Sequence, residues 1–94
     1  MIDISAKLKS EIKKLVVETL KLEDVDPESI LDEPSLFSGE NTITLDSIDA
    51  IELIMAVQKK YEVRLDDQNL ARTIMNSVNS IAEFITSEQA KNSS

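Results

Sequence analysis

Between Thr44 and Tyr61 the chain reads TLDSIDAIELIMAVQKKY, a helical pattern that is apolar on two sides. Successive residues of an α-helix are displaced by about 100° around its axis. On that wheel Ala50, Leu53, Ile54, Val57 and Tyr61 gather on one side, with the spacing of a core-facing stripe. Ile48, Ile51 and Met55 gather on nearly the opposite side, with Glu52 and Lys59 beside them. A helix packed on one core needs a single apolar stripe. The second stripe meets either more core, under the loop that carries Phe37, or a partner, and Ile51 is the residue best placed to be shared. The chain has 94 residues, the length of one domain. A domain this small buries only roughly 60–65% of the surface its unfolded chain exposes. So little core cannot wrap a helix completely, which favours the partner.

The rest of the chain is also helical in pattern. Ile4, Leu8, Ile12, Leu15, Val16 and Leu20 predict an amphipathic helix from about Ile4 to Leu22, with Lys7, Lys9, Lys13 and Lys14 on a solvated outer side. From Glu23 to Leu45 the period disappears, and Pro27, Pro34 and Gly39 punctuate the stretch. Asp26-Pro27-Glu28 predicts one short helical turn capped by Asp26. A loop this long fits a compact domain if its apolar residues tie it down, and Val25, Ile30, Leu31, Leu36, Phe37, Ile43 and Leu45 are available for that. Asp24, Asp26, Glu28 and Asp32 do not make a calcium loop: Ser29 and Ser35 stand where that loop needs glycine and glutamate. A second helix runs from Asp46 to about Tyr61, "EVRLDD" is a connector, and a short third helix spans Asp67 to about Met75. Ser77 caps a last helix from Val78 to about Gln89, with Val78, Ile81, Ala82 and Ile85 inside. There is no repeat and no strand alternation. The expectation is an all-α fold in a single domain, 1–94, with four helices, a long first loop and a short third helix. Order is expected over about 4–88, with 91–94 a tail.

Composition removes most chemistry. The chain has no cysteine and no histidine. A thiol nucleophile, a histidine base and the usual zinc ligands are therefore missing, and the lone glycine cannot form a phosphate-cradling loop. Asp46, Asp49 and Glu52 could be taken for a magnesium or acid–base cluster, but carboxylates on the first turns of a helix are ordinarily dipole partners and solvated surface. Catalysis is not expected, nor is a metal. A formal net charge of −8 repels nucleic acid and anionic membranes and attracts a basic protein partner. The spaced apolar residues at the N-terminus do not make a signal peptide, and no run reaches membrane-spanning length, so the cytoplasm is the expected location.

Asp46 is a good helix N-cap and Asp49, three residues on, completes a box-like arrangement. Ser47 then takes the first helical position and offers a hydroxyl where backbone N–H groups point outward, a place suited to a phosphate.

These residues resemble the attachment-site helix of acyl carrier proteins, whose signature is Asp-Ser-Leu, an acidic residue, and a Glu-Leu pair about one turn on. Here it reads Asp46-Ser47-Ile48, Asp49 and Glu52-Leu53. The resemblance extends in order through the first helix, the acidic loop with "LF", "YEVRL" and "SVNSIAEFITSEQA". It implies that Ser47 carries a 4′-phosphopantetheine, transferred from coenzyme A by a phosphopantetheinyl transferase (holo-ACP synthase), and that the imported thiol holds acyl groups as thioesters. It also implies a docking surface made of Asp46, Ile48, Asp49, Ile51, Glu52, Met55 and Lys59. The partners would be acyltransferases, ketosynthases or acyl-ligases of fatty acid, polyketide or modified-lipid biosynthesis, served by a monomeric carrier. Thr44 stands near where the family usually has glycine, Ile48 where it has leucine, and Lys59 and Lys60 in a stretch that is usually acidic, a flavour closer to carriers of specialised pathways. The alternatives are an aminoacyl carrier of the same superfamily, a degenerate carrier, and an unmodified helical adaptor that binds through Ile48, Ile51 and Met55.

Overall fold

A computed structural model describes residues 4–92 and shows the expected all-α architecture. Among the described residues the elements are α1 (Ile4–Thr19), a 3-10 turn (Pro27–Ser29), α2 (Ser47–Tyr61), α3 (Gln68–Ile74) and α4 (Val78–Asn92). α1 packs against α4, the 3-10 turn and α2, while α3 packs on α4. Leu8, Ile12, Leu15 and Val16 of α1 meet Leu53 and Val57 of α2 and Val78, Ile81, Ala82 and Ile85 of α4 in one core. The side chain of Ile4 and the tail residues 93–94 lie outside the described residues. α4 continues to Asn92, past the end expected near Gln89.

α1 ends at Thr19, earlier than the apolar period suggests. Lys21 adopts a left-handed backbone with φ 54°. The Lys21 N–H donates to the Glu18 carbonyl and the Leu22 N–H to the Val17 carbonyl, the paired bonds of a Schellman stop. Leu20 and Leu22 still pack on the core from beyond the helix, so burial extended the pattern past the backbone. α2 closes in a related way at Glu62, φ 53°, with the Val63 N–H bonded to the Gln58 carbonyl. The α2 end falls at Tyr61 as expected, whereas the earlier end of α1 carries no glycine to signal it.

The long loop is fastened at several points. The 3-10 turn forms as Asp26-Pro27-Glu28 predicts, with the Asp26 side chain accepting from the Glu28 N–H at 2.9 Å. Ile30, Leu36, Ile43 and Leu45 are buried. Leu31, expected among them, is exposed. Its backbone is held instead by Asn41, whose Oδ1 accepts from the N–H groups of Leu31 at 2.8 Å and Thr42 at 2.7 Å. The Asn41 Nδ2 donates to the carbonyls of Leu31 at 2.8 Å and Pro34 at 3.1 Å. Asn41→Ala leaves two amides without an acceptor, and we expect a loss of about 1–3 kcal/mol in urea unfolding with helix content retained. Lys13, expected on a solvated face, is instead largely covered and pairs with Asp32 of the loop at 2.7 Å.

At the far end of α2, the Tyr61 hydroxyl donates to Glu11 Oε1 of α1 at 3.3 Å. Partial burial first, then the Glu11 charge and this hydrogen bond, push the Tyr61 pKa from 10.0 up to about 12. The folded value lies above the unfolded one, so the contribution to stability is complete below pH 10 and is lost as pH rises towards 12. Tyr61 is the only tyrosine, so phenolate absorbance reads it directly. Glu11→Gln is expected to move that transition to lower pH; an unmoved transition would leave burial as the sole cause.

Candidate functional site

The head of α2 is built by its cap. Asp46 has extended backbone, and its Oδ1 accepts from the Asp49 N–H at 2.9 Å. The Asp49 Oδ2 accepts from the Asp46 N–H at 3.2 Å, which closes the capping box. Both carboxylates lie beside the positive end of the helix dipole. The box positions Ser47 as the first residue of α2, exposed, with no hydrogen bond to its hydroxyl among the described residues.

The two stripes of α2 separate as the wheel predicts. Leu53 and Val57 are buried, with Ala50, Ile54 and Tyr61 partly so. Ile48 is 68% exposed, Ile51 59% and Met55 64%. Exposed apolar side chains so concentrated on one helix face are a feature of interaction surfaces. Glu52 and Lys59 are exposed on the same helix, and Asp49 is half-buried beneath its capping bond. The Phe37 alternative is answered more subtly than by a choice between core and solvent. Phe37 is half-buried, and between it and α2 lies a cavity of about 610 Å³ instead of closed packing. Ile51 and Met55 both border that cavity, so the sharing expected of Ile51 extends to Met55.

The cavity is walled by Phe37 and Leu45 from the loop, Ala50 and Ile54 from α2, Leu65 from the connector and Ala71 from α3. Its polar lining consists of Asp46, Ser47 and Arg72. Thus the free hydroxyl at the helix head opens on an apolar space with room for a flexible chain. Nothing in the local pattern of the connector or of α3 announces this: Leu65 and Ala71 carry no periodic mark that separates cavity wall from core. Arg72 reads in sequence only as a cation in the last turn of a short helix. Among the described residues no group of side chains is arranged to hold a metal ion, and no helix is long and apolar enough to cross a membrane.

Residues 41–85 match the family model described as a phosphopantetheine attachment site, a segment that contains the capping box, Ser47 and all the α2 and α3 cavity walls. The chain is 31% identical over 78 residues to the acyl carrier protein of Desulforapulum autotrophicum, spanning 83% of this chain and 92% of that protein. It is 30% identical over 80 residues to the acyl carrier protein of Thermosynechococcus vestitus, covering 85% of this chain and 89% of the relative. A third acyl carrier protein, from Buchnera aphidicola, matches at 27% identity with 95% of its length covered. The matches span most of this chain and nearly the whole of each relative, so they concern the fold at large and not a local motif. The chain therefore belongs to the acyl carrier proteins, non-enzymatic carriers whose cofactor is a covalently attached 4′-phosphopantetheine.

Proposed function

We propose that Ser47 is the attachment point, and that the chain carries acyl groups on it between the enzymes of a biosynthetic pathway. The observation that carries this reading is the exposed, unbonded Ser47 hydroxyl at the head of α2, on the rim of an apolar cavity. The residues fit the group. Ser47 Oγ would hold it through a phosphodiester, and the outward N–H groups of the first helical turn favour a phosphate there. The arm supplies a thiol for thioester formation, which no side chain of this cysteine-free protein can offer. Phe37, Leu45, Ile54 and Leu65 provide the apolar wall against which an aliphatic cargo is shielded from water.

Ile48, Ile51 and Met55 form the centre of the docking surface, with Asp46, Asp49, Glu52 and Lys59 around it. Acidic groups steer the encounter with basic partner enzymes, and the apolar ones supply contact free energy. The partners are a phosphopantetheinyl transferase and acyltransferases, ketosynthases or acyl-ligases of fatty acid, polyketide or modified-lipid synthesis. Lys59 places a positive charge on this otherwise acidic face, which disfavours a generic basic partner and suits a carrier with a dedicated enzyme set. The carrier acts as a cytoplasmic monomer of one domain.

Intact-protein mass spectrometry tests the attachment. Incubation with coenzyme A, magnesium and a broad-specificity phosphopantetheinyl transferase is expected to add one phosphopantetheine. If a folded, unmodified sample gains no mass with several transferases, the reading fails and an unmodified adaptor takes its place.

A further inference from the structure

An aliphatic cargo needs no cation, yet an arginine is among the residues that line the cavity. Arg72 sits in the last turn of α3, is exposed, and shares the cavity lining with Ser47. It is the only basic residue in that lining. The chain carries eighteen acidic residues against ten basic ones, so carboxylates are plentiful, but the ion pair found among the described residues is Lys13–Asp32. Asp46, the one carboxylate of the lining, has its Oδ1 bonded to the Asp49 N–H in the helix cap. A cation near the end of α3 complements the helix dipole to a small degree. That does not account for its place in the lining of an apolar space that Ser47 also borders.

We propose that Arg72 is an anion-binding residue of this cavity and takes an oxyanion delivered on the arm at Ser47. The proposal rests on the attachment reading above. Two oxyanions reach the cavity by that route: the phosphodiester at the root of the arm, and a carboxylate at the far end of an acyl cargo. The planar guanidinium offers paired donors that match either one, and partial exclusion of water by Phe37, Ile54 and Leu65 strengthens the contact relative to open solvent. With the phosphodiester as partner, Arg72 holds the arm folded over the cavity. With the carboxylate as partner, the cavity selects acids that end in a second carboxyl group over methyl-ended chains of equal length.

The test uses nitrogen-15-labelled full-length protein in four states: unmodified, bearing phosphopantetheine, loaded with octanoate, and loaded with the dicarboxylic acid of the same length. The Arg72 Nε–Hε signal is assigned by its loss in Arg72→Gln. A displacement on adding the arm identifies the phosphodiester as the partner. A displacement confined to the dicarboxylic cargo identifies the carboxylate. In either case hydroxylamine cleaves the thioester of the anion-bearing state roughly threefold faster in Arg72→Gln, the loss expected for an exposed charged contact. An Arg72 signal that stays put in all four states overturns the proposal while the mass gain still supports Ser47 as the attachment point. Equal cleavage rates for wild type and Arg72→Gln on every cargo overturn it as well. Absence of any mass gain removes the attachment reading and this inference together.

Discussion

Ser47→Ala is expected to abolish phosphopantetheine attachment completely and to leave the fold nearly unchanged. The two halves of this result have separate physical causes. Attachment needs a primary hydroxyl at the head of α2, and methyl offers no nucleophile. Stability does not need it, because the cap is made by Asp46 and Asp49 and not by Ser47. An exposed position away from caps and core changes stability by no more than about 0.5 kcal/mol, and alanine is the better helix former. Mass spectrometry reads the first half, and circular dichroism melting reads the second. Continued modification of the variant would move the attachment to another serine, while a collapse of helicity would make Ser47 a structural residue.

The second large effect separates the two faces of α2. Leu53 is fully buried and Ile51, two residues earlier, is 59% exposed. Leu53→Ala opens a void among α1 and α4 side chains and should cost about 2–5 kcal/mol. The stability of a 94-residue domain is roughly 5–14 kcal/mol at the usual value per residue, so this one change removes a large part of it and leaves a measurable unfolded fraction. Ile51→Ala should cost about 1 kcal/mol or less, since most of its surface is already in water. It should instead weaken transfer by the phosphopantetheinyl transferase, raising KM severalfold. Urea unfolding of both variants, with transferase kinetics on Ile51→Ala, checks the pair. Equal destabilisation by the two substitutions would mean that both stripes are core and that the docking face is misplaced.

Much of the architecture is legible in the sequence. The inner stripes of α1 and α4, the capping box of α2 and the Asp26-Pro27 turn are local: each follows from residues within a few positions of one another, and the structure contains all of them. The same holds for the exposure of Ile48 and Met55, because the helical period alone places them opposite Leu53 and Val57. The ends of α1 and α4 were less legible than that of α2, which closes at Tyr61 as expected. Lys21 and Glu62 turn left-handed without glycine, a strain of about 1 kcal/mol each that packing beyond the helix offsets. Leu31 looked like a core residue by type, yet the bonds of Asn41 to its backbone decide how the loop runs, and the side chain is left outside.

The order of residues was sufficient to specify four helices, the cap that presents Ser47, and two opposed apolar faces on α2, since all of these arise from backbone geometry and nearest neighbours along the chain. Tertiary packing alone decided that Phe37, Leu65 and Ala71 border, together with α2 residues, a space of about 610 Å³. It also decided that Lys13 pairs with Asp32 and that Arg72 lines the same space as Ser47. Those outcomes depend on how rigid helices, joined by a fastened loop, fill volume between them. Distances across a fold are set by that filling, and no period or cap along the chain encodes them.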